Sequence, residues 1–253
     1  MRHFIDTGIL LGKVLEDDDF RDVSEEFFTG FHYGELEIVH QVMFDLESMV
    51  QEEANIILLD FLRFCPVMKL KNLNKDEAKA NIRTAFGKIK RAERMKHSGI
   101  KDEVKEMLYR AVDEGTLIET VKGLHIGLPR RIRDKVSGCL GVDVILLMSG
   151  VANGEAEEET KAHIVQELAA FKGTFGEHDD HDRRILSGLA LECWKGSDIE
   201  FFTYDKPFFE GYKKMWSAYT GQILEPCRRL TFMYINPHNL SAGRTAFTPP
   251  KSQ

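Results

Sequence analysis

Short β-branched or aromatic runs alternate with long stretches of helical periodicity along most of this 253-residue chain. That alternation restricts the chain to layered α/β architectures. The runs "RHFID" (2–6), "ELEIVHQ" (35–41), "VDVILLM" (142–148), "DIEFFTYD" (198–205) and "ILEPCRRLTF" (223–232) have the length and residue types of strands. "TGILLGKVL" after the first run is helix-compatible, and the acidic "DDDFRDVSEEF" is a loop or a helix start. Residues 42–64 carry apolar side chains at helical spacing and stop before Pro66. Further helices are predicted over 154–173, from about Asp180 to Gly196, and from a Pro207 start. This order predicts an α/β fold with a mainly parallel central sheet flanked by helices. In such sheets ligands bind outside the carboxyl ends of the strands.

A helical insertion, residues 63–141, interrupts the pattern. Asn74 reads as an N-cap with Gly99 as the stop, and a second helix runs to Gly115. A short extended piece follows, then a helix opened by Pro129. Residues 63–140 hold 19 Lys/Arg against 10 Asp/Glu, a net of +9, whereas the remainder holds 15 against 31, a net of −16; together these give the overall −7. A basic segment in an acidic body points to a polyanion partner, or else to a Lys/Arg-rich solvated face. The phosphate-tracking candidates are Lys88, Lys90, Arg91 and Arg94 in "GKIKRAERMKH", and Arg130, Arg131 and Arg133 in "PRRIRDK". Aromatics are sparse there (Phe86, Tyr109), which argues against base reading. The tail, residues 236–253, is proline-containing and poor in apolar residues, and is expected to be partly disordered or draped on the surface.

Other classes are disfavoured. The four cysteines are scattered with no CxxC pair, as in a reducing compartment. The N-terminal apolar run is broken by Asp6, unlike a signal peptide, and no apolar run reaches the ~20 residues of a membrane span. A cytoplasmic protein is expected. "SGVANGE" matches neither GxGxxG nor a P-loop, so a nucleotide-cofactor enzyme is disfavoured.

The acids then stand out by position. The first strand ends in Asp6, the helix after the second strand carries Asp45 and Glu47 near its start, Asp182 lies near another helix start, and the strand "IEFFTY" is followed by Asp205. Each also fits a helix-cap or turn role. Four at one sheet edge would repel one another unless neutralised, and oxygen-only ligation selects Mg²⁺ or Mn²⁺. Such an ion held by a few carboxylates acts most often on phosphate esters. Asp45 and Glu47 lie about 200° apart around a helix, so only one faces inward. "HDDHD" (178–182) resembles a self-contained metal cassette, but an HD-type phosphohydrolase needs a helical fold. His178 to His181 therefore read as a polar approach loop, with Asp179 shaping the surroundings of the site. Arg183 or Arg184 is a substrate contact or a surface charge.

Several pieces together resemble the PIN-domain nucleases: "FIDTGILL" (4–11), "VMFDLESM" (42–49), "HDRRILSGLAL" (181–191), "FFTYDKPF" (201–208) and "ILEP" (223–226). The resemblance covers roughly 1–62 and 142–235. It implies a PIN-like core in which Asp6, Asp45, Asp182 and Asp205 hold Mg²⁺ or Mn²⁺, with Thr7 and Thr203 in support. It further implies an endoribonuclease whose partner is RNA, single-stranded rather than duplex. The second acid of that family is usually Glu, where this chain has Asp45. The small PIN toxins lack an insert like 63–141, which puts a toxin role in doubt. A protein inhibitor or partner and a homodimer are also compatible. The alternatives are a catalytically weak PIN-like module binding nucleic acid or protein, and an α/β phosphohydrolase of small substrates with the insert as a lid.

Overall fold

The computed structural model describes the chain except residues 16, 17, 19, 31–35, 71, 90–97, 141–149, 177, 178, 239–243 and 251–253, and except the side chains of 98, 139 and 140. The strand expected at 142–148 lies outside the described residues.

β1 (Arg2–Ile5) leads through Asp6 into α1 (Thr7–Val14), and α2 (Arg21–Gly30) follows. β2 (Leu36–Glu37) is only two residues long, because the expected strand turns helical at His40. α3 (His40–Phe64) ends just before Pro66, as anticipated. α4 (Val67–Leu70), α5 (Lys75–Lys88), α6 (Ser98–Glu114) and α7 (Leu117–Leu140) make up the helical segment. α8 (Glu155–Ala169), α9 (Asp179–Trp194), β3 (Ile199–Thr203) and α10 (Lys206–Ala218) come next. A 3₁₀ turn (Glu225–Arg229), β4 (Leu230–Ile235) and β5 (Arg244–Phe247) close the chain.

The sheet order is β2-β1-β3-β4-β5, parallel throughout except for the antiparallel β4–β5 pair. The chain leaves β1 in one direction to form β2 and returns on its other side to form β3. The reversal point of the sheet is therefore the β1–β3 neighbourhood, where a crevice opens at the carboxyl ends. Pairing of Ile5 with Phe202 and an Asp6 amide bond to the Phe202 carbonyl (3.0 Å) bring the two strand ends level. Aromatic packing locks β3 and β4 beneath α10: Phe232 stacks on Tyr212 at 4.0 Å and meets Phe201 at 5.0 Å and Phe208 at 5.1 Å. The Tyr212 hydroxyl donates to the Leu230 carbonyl.

Three local expectations are corrected. "TLIETVKGLHIGL" is not extended; α7 runs unbroken with Pro129 inside it. An internal proline lacks an amide donor and crowds the preceding turn. Here Leu124, Leu128, Ile132 and Val136, one turn apart, are fully buried on one face, and that packing outweighs the local preference. Gly99 is not a stop, since α5 ends at Lys88 and Gly99 lies in the first turn of α6. A Cβ at Gly99 would stand 2.7 Å from Leu15 Cβ, so the glycine serves close packing against the end of α1. "ILEPCRRLTF" holds a 3₁₀ turn before the strand, and the tail expected to be draped contributes β5. Asn74 caps α5 and α6 stops before Gly115, as expected; the structure adds the reciprocal Glu77 bond of a capping box and a left-handed Gly115.

The helices of 63–140 pack into the same hydrophobic cluster as the sheet layer. Phe61 of α3 meets Phe86 of α5 at 5.5 Å, and buried Glu103 accepts from Arg131 (2.8 Å) and Lys135. Among the described residues no helix is long and apolar enough to cross a membrane.

α1 approaches α2 through Gly12, where a Cβ would lie 2.3 Å from Ser24 Oγ and 2.8 Å from the Phe20 carbonyl oxygen. The backbone oxygen cannot swing aside. Gly12→Ala should cost about 1–3 kcal/mol, read as a lower urea midpoint with an unchanged m-value. An unaltered midpoint would show that the two helices are free to separate.

Candidate functional site

Each of the four acids is delivered by a different element. Asp6 follows β1 and caps α1: its Oδ1 accepts from the Thr7 amide at 2.7 Å, and its Oδ2 accepts from the Thr203 hydroxyl at 2.6 Å. Thr203, fully buried at the end of β3, also accepts from the Asp205 amide at 2.9 Å. Asp205 caps α10 through the Phe208 amide at 2.9 Å and is half-buried. Asp45 projects from the second turn of α3, and Asp182 from the first turn of α9, each only 6% exposed.

Asp182 lies within electrostatic reach of Asp6, Asp45 and Asp205, and Asp6 within reach of Asp45 and Asp205. Burial raises the Asp182 pKa from 3.8 to about 9, and the charges of Asp6, Asp205, Asp179 and Asp45 add to the rise. Burial raises Asp6 to about 6 against the hydrogen bonds from Thr203 and Thr7, with Asp205 and Asp45 adding repulsion. Asp45 is raised by burial and partly offset by His181 and Arg184. His181 Nδ1 stands 2.9 Å from Asp45 Oδ1 and gives that carboxylate a partner. Asp182 Oδ2 is buried without one. Buried polar atoms are nearly always satisfied, so the Asp182 carboxylate among its acidic neighbours calls for a proton or a cation.

A second buried acid on α9 supplies the contrast. Burial also opposes ionisation of Glu192. It is outweighed by the Gly150 amide (2.8 Å), Arg2 and Lys195, and the pKa falls below normal. Glu192 is fully compensated and Asp182 is not. The oxygen-rich donor set and the orphaned Asp182 oxygen are of the type that suits a hard divalent cation. Among the described residues, no three donors already stand close enough to share one ion.

The remaining sequence candidates divide. Glu47 bonds Arg133 of α7 and is half-buried, whereas Asp45 is buried, so Asp45 is the inward residue of the pair. The Thr7 hydroxyl lies 3.5 Å from the Val42 carbonyl, tying α1 to α3. Residues 179–181 are helical rather than a loop, and His178 lies outside the described residues. Burial opposes ionisation of Asp179, but the Gly173 and Phe175 amides and Arg183 lower its pKa, so it anchors the preceding turn. Arg183 is taken up by Asp179 (2.8 Å) and Asp180 and is not turned to the acids. Lys88 is exposed at the end of α5, and Lys90, Arg91 and Arg94 lie outside the described residues. Arg130 is exposed, whereas Arg131 and Arg133 are paired with Glu103 and Glu47. Sequence reasoning missed the His181–Asp45 contact. Its signal was the acidic first turn of α9, which starts earlier than expected.

Comparison with protein-family models, curated proteins and solved structures gives no match.

The unfolded carboxylates titrate near 4, so between that pH and the folded values the native state binds protons that the unfolded chain has released. Stability therefore falls as pH rises, from about 4 to about 6 through Asp6 and from about 4 to about 9 through Asp182. The slope is at most about 1.4 kcal/mol per pH unit for each group. Asp182→Asn removes the larger share, so its melting temperature should exceed that of the parent by several degrees at pH 8 and by little at pH 4. Millimolar Mn²⁺ should raise the parent's melting temperature and leave the variant's almost unmoved. Equal melting temperatures at both pH values would remove the electrostatic cost from Asp182.

Proposed function

We propose that this chain is a divalent-metal-dependent phosphodiesterase with a PIN-like core, acting as an endoribonuclease on single-stranded RNA. The observation that carries the reading is that Asp6, Asp45, Asp182 and Asp205 lie within electrostatic reach at the reversal point of a parallel sheet, with a buried Asp182 oxygen left without a partner. The resemblance in "FIDTGILL", "HDRRILSGLAL" and "FFTYDKPF" supports it independently.

The four aspartates would hold Mg²⁺ or Mn²⁺. When bound, such an ion supplies charge neutralisation, an activated water and stabilisation of the leaving oxygen. The chain's own part is orientation. Thr203 fixes one Asp6 oxygen, the Thr7 amide fixes the other, and the Asp205 side chain is held by its cap. His181 lies against Asp45 and limits its rotation. A catalytically weak module binding RNA or protein is the second reading, favoured by the open spacing of the donors.

Purified protein should cleave single-stranded RNA in Mn²⁺ and not in EDTA. Asp6→Asn and Asp182→Asn should each lose at least about a hundredfold in rate, as expected when a metal-holding group is removed. Cleavage surviving both changes would overturn the site. Salt-sensitive RNA binding without any cleavage would select the binding module.

A further inference from the structure

The wall beside the acids is formed by α3 and α9, and one face of α9 carries an imidazole and a guanidinium rather than carboxylates. On α9, His181, Arg184 and Gly188 lie at successive turns of one face. That face is seated on the start of α3: His181 touches Asp45, and a Cβ at Gly188 would come within 2.5 Å of Gln41 Oε1. Arg184 therefore sits between two contacts that fix its position along the α3–α9 seam. Its side chain is exposed, it makes no hydrogen bond or ion pair among the described residues, and its charge reaches Asp45. Arg183, one residue earlier, is fully committed to Asp179 and Asp180. On α3, Phe44 precedes Asp45 and is 51% exposed, about 100° around the helix from it.

We propose that the α3–α9 seam seats a single nucleic-acid strand at the mouth of the acidic site, with Arg184 holding a backbone phosphate and the Phe44 ring stacking on a base. The inference rests on the nuclease reading above and names the substrate-contacting residues that it lacked. Charge complementarity decides the occupant. An anionic phosphodiester must be drawn towards a cluster of carboxylates, and an unpaired guanidinium at the rim offers two parallel donors for it. A flat exposed ring suits an unstacked base and gives no sequence preference. A base paired in a duplex does not expose its face, so the seam favours a single strand.

The test uses the full chain carrying Asp182→Asn, so that binding is read without cleavage, and a fluorescein-labelled oligouridine followed by anisotropy across a salt series. Arg184→Ala should weaken binding by roughly tenfold and reduce the salt slope by about one, with Arg184→Lys keeping the slope. Phe44→Ala and Phe44→Leu should each weaken binding by about tenfold, while Phe44→Tyr keeps it. Leu59→Ala removes a side chain 69% exposed on the same helix, about 20 Å further along, and should change nothing. All these positions are exposed, so melting temperatures should be unaltered. If the Arg184 and Phe44 variants bind like their parent, the seam is overturned while Mn²⁺-dependent cleavage by the wild type leaves the nuclease reading standing. Equal losses for Phe44→Leu and Phe44→Tyr would also overturn it, pointing instead to a protein-binding surface. Wild-type protein that neither binds nor cleaves RNA overturns both.

Discussion

The bond from the Thr203 hydroxyl to Asp6 joins the ends of two neighbouring parallel strands. It exists because β1 and β3 run in the same direction and in a register that sets Ile5 opposite Phe202. A one-residue slip would turn Thr203 to the other face of the sheet and leave the Asp6 oxygen buried without a donor. The site is thus a consequence of strand register, in strands whose Phe4, Ile5, Phe201 and Phe202 are buried on both faces of the sheet. The parallel topology then carries the remaining acids to the same edge, through a helix that follows β2 and a helix that precedes β3.

Gathering carboxylates in this way costs stability, and the fold shows that it had an alternative. Of the three buried acids on α9, Asp182 and Glu192 lie roughly three turns apart. Glu192, at its far end, receives an amide, a guanidinium and an ammonium, and its charge is stable in place. Asp182, at its near end, receives neighbouring negative charges and keeps one oxygen unsatisfied. The same helix therefore separates an acid that supports the structure from one the structure must tolerate. Perturbation of the second kind concentrates at sites of chemistry.

Much of this was legible in the sequence because the signals are local. Asp6 and Asp205 follow short apolar runs and also act as caps, so the residue type and its position reinforce one another. What stayed hidden depended on contacts distant in the chain. Gly123, Gly127 and Pro129 made α7 look broken, and only the buried stripe from Leu124 to Val136 reveals one helix. The choice between Asp45 and Glu47 could not be made from spacing, since it turns on Arg133, 86 residues from Glu47. β5 was invisible because four mostly exposed residues carry no alternation of their own and are held by pairing to β4.

The same long-range pairing changes the meaning of the basic segment. Its net charge of +9 suggests a polyanion-binding face, but Arg131, Lys135 and Arg133 are spent on Glu103 and Glu47, and Lys79 is spent on Asp113. These pairs hold α5, α6 and α7 to one another and to α3, so part of the apparent excess is structural. A polyanion approaching the acidic edge then meets few uncommitted cations close to it. Attraction at long range falls off within about 10 Å at ordinary salt, so a charge at the rim counts for more than several on distant helices. That condition favours Arg184 over its neighbour Arg183, which carries the same charge one residue away but is already neutralised.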